Sequence, residues 1–204
     1  MHELPDPSVE ILVVPGPDAE ATLAFLCARK RTCRIAAPDA GPAGGLRLWS
    51  PNPWLETLSL AGSILDVGCG TGRNAVHLAD LGLQVTAFDR LPDAVERGRV
   101  LERRYHQGEP KIKWVRASYA TFETEKPFDA MVCLMSIPYP LAIHARKWLR
   151  EGGLVVAQSY SQAHRASTGK PKDERLVLRR DDVEGLHIES WEEDAHYARL
   201  IARL

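Results

Sequence analysis

Three glycines, Gly68, Gly70 and Gly72, alternate through the run ILDVGCGTGR, residues 64–73. Alternating glycines let a backbone turn sharply and let a ligand approach the main chain. The next apolar run, Gln84–Asp89, ends in an acid 21 positions after Gly68. An acid about 20 residues beyond a glycine-rich turn is where doubly wound folds hold a ribose hydroxyl pair. The expected ligand is a cofactor containing a nucleoside. Asp66 stands two residues before the first glycine, where a carboxylate repels a pyrophosphate and suits a cation. The dinucleotide pattern G-x-G-x-x-G needs a third glycine where this chain has Arg73, and no GK[ST] follows, which excludes a phosphate-binding P-loop.

The elements that must position these residues follow from periodicity. Ser63–Val67 reads as an apolar strand and Arg73–Leu81 as a short helix. Gln84–Asp89, Lys113–Arg116, Phe128–Leu134 and Leu154–Ser159 read as strands. Pro92–His106 and Leu141–Arg150 read as helices, the second stopped by Gly152-Gly153. A helix is also expected from about Pro53. The tail holds two strands, His187–Glu192 and Tyr197–Ala202, joined by the turn Glu193-Asp194-Ala195. Strands that alternate with helices imply a mainly parallel sheet with right-handed crossovers, closed here by an antiparallel hairpin. Ahead of it, Val9–Val14, a helix capped by Asp18 and running to about Lys30, and Cys33–Ala37 form one β-α-β unit. Residues 37–45 are a Pro/Gly-rich linker. The division expected is an extension over residues 1–45 and a main domain over residues 46–204.

The pattern D-x-G-x-G-x-G after a strand, with an acid ending the next strand, resembles the class I S-adenosylmethionine-dependent methyltransferases. The continuation Gly72-Arg73-Asn74 through Leu78-Ala79 is similar to the small tellurite-resistance-type members. The resemblance covers about residues 47–204. It implies an α/β, doubly wound Rossmann-like fold with a seven-stranded, mostly parallel sheet, S-adenosyl-L-methionine as cofactor, and methyl transfer to a small-molecule acceptor. It implies that Asp66 lies near the amino group of the methionine moiety and that Gly68, Cys69, Gly70 and Gly72 wrap it. Asp89 then takes the ribose hydroxyls, and Arg90 and Leu91 border the adenine. Ser118 stands where the family often has an acid for the adenine amino group, with Tyr119 adding a ring contact. Cys133-Leu134-Met135-Ser136 should face the sulfonium, which places Leu134 in the cofactor set. Ser136-Ile137-Pro138-Tyr139 is similar to the [NDS]-P-P-[YFW] motif of enzymes that methylate nucleobase amino groups, with Ile137 in place of the first proline. The N-terminal unit resembles one end of a rhodanese-like domain without its active-site loop.

Each of these residues also has a plainer reading. Cys69 is a small residue chosen for fit rather than a nucleophile. Arg73 at a helix start is unfavourable for the helix dipole, which turns it towards substrate. Trp49 and Trp54 either roof the cofactor or pack the leading segment. Tyr139, Tyr160 and His164 fall after strands at the expected mouth and are candidates for acceptor contact, whereas His187 and His196 read as structural or exposed. Arg165–Arg180 holds six Lys/Arg against Asp173 and Glu174, a run that could steer an anionic substrate but more often is a mobile, solvated loop. No catalytic base is assigned, and no His/Cys cluster has zinc spacing.

Composition bounds the rest. A chain of 204 residues with 45% hydrophobic and 26% charged residues is globular, which excludes disorder, collagen and coiled coil. At this length a chain buries about 70% of its unfolded surface and needs no staple. The net charge of −1 gives no general attraction to nucleic acid or anionic membrane. The longest uncharged run of interest, Ala130–Ile143, is short and broken by Pro138 and Pro140, too little to span a bilayer. Cys27, Cys33, Cys69 and Cys133 read as reduced thiols in a cytoplasmic protein, mostly buried. The start MHELPDPSVE has no signal-peptide pattern. The competing readings are a non-catalytic cofactor-binding module, a methyltransferase for RNA or protein, and an NAD enzyme, the last disfavoured by Arg73 and Asp66.

Overall fold

The computed structural model describes residues 10–13, 19–36, 49–105 and 111–204. The expected Asp18 cap, the 37–45 linker, the ends of the first strand at Val9 and Val14, and the helix end at His106 lie outside them. The chain forms two compact units, residues 1–50 and residues 51–204.

In the first unit, β1 (Ile11–Val13) and β2 (Cys33–Ile35) pair in parallel through α1 (Ala19–Cys27). Ile11, Val13, Ala19 and Leu26 form its small core, with Leu23 and Cys33 packed against it. Trp49, which falls in this unit, is buried.

The second unit is built on β3 (Ser63–Val67), β4 (Gln84–Asp89), β5 (Ile112–Arg116), β6 (Phe128–Leu134), β7 (Leu149–Tyr160), β8 (His187–Glu193) and β9 (Tyr197–Arg203). Their order across the sheet is β5-β4-β3-β6-β7-β9-β8. The first five are parallel, and β9 runs antiparallel to both neighbours. Strand order reverses between β3 and β6, and in open α/β sheets ligands bind outside the carboxyl ends of the strands at such a switch point. β3 and β6 read as almost continuous apolar runs, as strands covered on both faces must. Between the strands run α2 (Arg73–Asp80), α3 (Pro92–Tyr105) and α4 (Leu141–Trp148). Phe88 stacks on Phe122 at 4.3 Å, and both meet Trp148 edge-on, which anchors α4 to the sheet.

Three expectations are corrected. The helix from Pro53 is only a 3-10 turn at Leu55–Thr57. Asn52 Oδ1 accepts the Trp54 N–H and the Thr57 hydroxyl donates to the Trp54 carbonyl, so side chains satisfy the backbone that a helix would have used. α4 stops at Trp148 rather than at the glycine pair, because Leu149 turns extended to pair with Phe128. Gly152-Gly153 lie inside β7, where the register against β6 shifts. Finally, the basic stretch is not a solvated loop. It contains α5 (Gln162–Thr168), capped by Ser161, and buries Val177 and Leu178. Arg165 and Arg179 both pair with Glu174, at 2.6 and 3.3 Å.

Candidate functional site

Four parallel strands deliver their carboxyl ends to one cavity of about 130 Å³, lined by Gly68, Phe88, Asp89, Arg90, Ala117, Ser118, Tyr119 and Ser136. The glycine loop leaves β3 here and feeds α2. The Cys69 N–H donates to the Phe88 carbonyl at 3.0 Å and the Gly72 N–H to the Cys69 carbonyl at 2.9 Å, which closes the turn. Asp89 fastens the loop from the next strand. One of its oxygens accepts the Gly70 N–H at 3.0 Å and the other the Leu91 N–H at 2.9 Å.

Asp66 lies beneath this loop and is 1% exposed. Burial lifts its carboxyl to about 7; the Ala75 backbone N–H opposes that shift and the nearby Asp89 charge adds to it. Its Oδ2 is buried without a hydrogen-bond partner among the described residues. A buried acceptor left unpaired is costly, and a cationic donor is the group that would satisfy it.

The glycines divide their roles. A Cβ on Gly70, at φ +54°, would meet nothing within 4 Å, so this turn of the loop faces open space. A Cβ on Gly72, at φ +82°, would come within 2.4 Å of the Trp114 ring, so this glycine serves packing of α2 against β5 and α3. Gly68 lies directly under Ser136, whose hydroxyl is hydrogen-bonded to the Tyr119 hydroxyl. Burial raises the Tyr119 phenol above its ordinary range.

Of the residues singled out from sequence, Gly68, Asp89, Arg90, Ser118 and Tyr119 line the cavity, and Asp66, Cys69, Gly70 and Gly72 build the loop around it. Ser118 is partly committed: its N–H donates to Thr121 Oγ1 at 2.9 Å and its hydroxyl lies 3.1 Å from the same oxygen. Leu134 is buried at the end of β6 and does not line the cavity, whereas Ser136 of the same stretch does. Arg73 is exposed on the first turn of α2 and does not line the cavity. Tyr139 donates its hydroxyl to the Val177 carbonyl at 2.9 Å and lines a separate hollow of about 790 Å³ between α4 and residues 174–185. Tyr160 stacks on His164 at 4.9 Å and on Tyr197 at 6.0 Å, in a cluster at the carboxyl end of β7. His196, read as structural, joins that cluster, with its Nδ1 3.4 Å from His164 Nδ1. Trp54 is half-buried beside the 3-10 turn and does not line the cavity.

Sequence reading named two further residues only as members of a run and gave neither its positioning part. Asn74 accepts the Asn52 N–H at 2.9 Å and so ties the leading segment to α2; its place in the Gly72-Arg73-Asn74 run was the available signal. Met135 turns β6 out of the sheet at φ +63°, with its N–H on the Gln158 carbonyl at 2.7 Å, and so sets where Ser136 stands. No sequence signal marks a left-handed methionine. Cys69 and Cys133 are buried, and burial raises both thiols far above the ordinary range. Among the described residues no group of three or more His, Cys, Asp and Glu could hold a metal ion.

A family model described as a methyltransferase domain matches residues 64–156. The ubiquinone biosynthesis O-methyltransferase of Rickettsia typhi is 34% identical over 76 residues, which cover 37% of this chain and 30% of that protein. The glycine N-methyltransferase of Homo sapiens is 31% identical over 142 residues, covering 59% of this chain and 48% of that protein. The chain thus matches only 30% to 48% of the length of these curated relatives. The solved N-methyltransferase NodS from Bradyrhizobium japonicum WM9, in complex with S-adenosyl-l-homocysteine, shares the fold with a TM-score of 0.55 and 20% identity, over 73% of this chain and 80% of that one. The fold is the Rossmann-like methyltransferase fold, and residues 64–156 match a methyltransferase domain.

Proposed function

We propose that this chain is an S-adenosylmethionine-dependent methyltransferase for a small-molecule acceptor, with residues 46–204 as its catalytic domain and residues 1–45 as an extension. One observation carries the reading: a buried Asp66 oxygen without a partner among the described residues lies under a glycine loop that is open at Gly70 and fastened by Asp89. These residues fit the cofactor. An ammonium group beside Asp66 supplies the missing donor and favours the ionised carboxylate. Asp89 accepts two N–H groups and keeps lone pairs for a ribose diol. Arg90, Ser118 and Tyr119 line the side where the adenine belongs.

When bound, the cofactor supplies a methyl group made electrophilic by its sulfonium. The chain itself orients and desolvates. Holding a nucleophile in line at about 3–3.5 Å accounts for much of the rate in such a transfer. The paired hydroxyls of Tyr119 and Ser136 stand at the ends of β5 and β6, beside Gly68. They can hold an acceptor's hydroxyl or amine there by hydrogen bonds. Deprotonated Cys69 or Tyr119 has no part in this, since burial keeps both protonated at neutral pH.

A small-molecule acceptor is supported by the net charge of −1, which offers no electrostatic footprint for nucleic acid. The relatives, named for ubiquinone biosynthesis and glycine N-methylation, point the same way. The Gly72-Arg73-Asn74 continuation supports a place near the tellurite-resistance-type members, and the β-α-β extension supports a reduced rhodanese-like fragment. A cytoplasmic setting belongs to the same proposal. The described residues contain no helix long and apolar enough to cross a membrane.

The test is calorimetric titration with S-adenosylhomocysteine, followed by radiolabelled methyl transfer to an acceptor panel and to cell extract. Micromolar binding that Asp89→Ala weakens by about 100-fold, with transfer to at least one acceptor, is the expected result; losing a charge-assisted hydrogen-bond pair has that scale. Wild-type protein that does not bind overturns the cofactor assignment. Binding without transfer to any acceptor overturns the catalytic reading and leaves a binding module.

A further inference from the structure

The first unit carries chemistry that methyl transfer leaves unused. We propose that Cys27 and Cys33 form a reversible disulfide, a redox-modification site that bridges the end of α1 and the start of β2. The two sulfurs lie 3.0 Å apart, only about 1 Å beyond the length of a disulfide bond. Cys27 ends the helix and Cys33 opens the strand, and both elements already pack on one core of Ile11, Val13, Ala19 and Leu26. Weak contacts from Cys33 Sγ to the Arg31 carbonyl at 3.5 Å and the Leu23 carbonyl at 3.8 Å hold that sulfur beside its partner. Closing the bond therefore asks for a small side-chain adjustment rather than a new backbone arrangement.

Accessibility selects this pair. Cys27 is exposed and Cys33 half-buried, whereas Cys69 and Cys133 are buried. A solvent-borne oxidant meets the first two alone. The reaction is thiol–disulfide exchange with a low-molecular-mass disulfide. The exposed Cys27 thiolate attacks one sulfur of the reagent, whose other half leaves as a thiolate and takes up a proton. The Cys33 thiolate then attacks Cys27 Sγ in the mixed disulfide and releases the second half. The protein gives up two protons and two electrons, and the reagent is reduced to two thiols. In the reduced pair the hydrogen bond between Cys33 and Cys27, which favours the protonated Cys33 thiol, is the main cause that raises it. Thiolate is scarce at neutral pH as a result, and its fraction grows about tenfold per pH unit below the thiol pKa.

The test treats the full chain with oxidised glutathione, quenches with acid, alkylates free thiols and reads a tryptic digest by mass spectrometry. Arg29, Lys30 and Arg31 lie between the two cysteines, so trypsin separates them and the bond appears as a linked peptide pair. The expected result is a Cys27–Cys33 linkage that dithiothreitol reverses, formed faster as pH rises, with Cys69 and Cys133 alkylated only after unfolding. Cys27→Ser and Cys33→Ser each stop at a glutathione adduct. Wild-type protein that keeps a stable glutathione adduct, cross-links into dimers, or alkylates at both cysteines after oxidation overturns the proposal.

Discussion

Asp66 holds the sharpest residue-scale consequence. Its folded pKa of about 7 stands above the ordinary carboxylate value of about 4. Between these two values the folded chain binds more protons than the unfolded one, so stability falls as pH rises from about 4 to 7 and then levels. Asp66→Asn should abolish that decline, read as the melting temperature against pH. The same substitution removes the charge that an ammonium group needs. Affinity for S-adenosylhomocysteine should fall by about 10- to 100-fold, the scale of one charge-assisted hydrogen bond. Wild-type binding at pH 6 should release protons, visible as a heat that changes with the ionisation enthalpy of the buffer. Cys69 predicts the opposite. Its thiol is buried and far from ionising, so Cys69→Ala should keep methyl transfer within about threefold and cost about 1 kcal/mol of stability. A loss of activity without a loss of cofactor binding would return the thiol to the chemistry.

At the scale of elements, the loop shows how one motif serves two masters. Gly72 packs under Trp114 and beside Gly98 at φ +82°, with its Cβ position 2.4 Å from the ring. Gly72→Ala should therefore cost about 2–4 kcal/mol through left-handed strain and overpacking together. Gly70 is equally left-handed but open on its ligand side. Gly70→Ala should cost about 1–2 kcal/mol and weaken S-adenosylhomocysteine by tenfold or more. Urea denaturation and calorimetry separate the two outcomes, and equal stability losses would end the distinction. Glu102 shows why α3 and β5 hold their relation: its carboxylate accepts the N–H groups of Lys111 and Ile112 and the indole N–H of Trp114, at 2.7–2.9 Å. Trp114 in turn roofs Gly72, so the geometry of the cofactor loop rests on an acid that never faces the cavity.

Across the whole second unit, the amino end of the sheet is tied as firmly as the carboxyl end is open. Asp129 on β6 accepts the N–H and hydroxyl of Ser63 on β3, at 2.8 and 2.9 Å, and Arg150 on β7 at 2.6 Å. The Ser63 N–H, then Arg150, hold its carboxyl down at about 2. A lowered folded pKa means stability present above about 4 and lost as pH falls through about 2. Asp129→Asn should flatten the fall in melting temperature across that acid window while leaving cofactor affinity at pH 8 unchanged. A variant that melts along the wild-type curve would show that solvent screens the clamp.

The strands and helices around the glycine loop were legible because their signals are local. Ser63–Val67, Gln84–Asp89 and Phe128–Leu134 are apolar runs whose ends the structure reproduces, and the pairing of loop and Asp89 follows from spacing alone. The parallel sheet and closing hairpin follow from the alternation of elements. The structure alone decided where contacts are remote in sequence. Within the stretch after β6, Ser136 reaches the cavity and Leu134 does not, because Met135 turns the chain by a bond to Gln158 on another strand. The basic segment after Tyr160 folds because Val177 and Leu178 find a core and because Arg165 and Arg179 share Glu174. The 3.0 Å approach of Cys27 and Cys33 depends on how a helix end meets a strand start. Periodicity and turn chemistry are written within a few residues, whereas burial, desolvation and side-chain convergence exist only once distant segments pack.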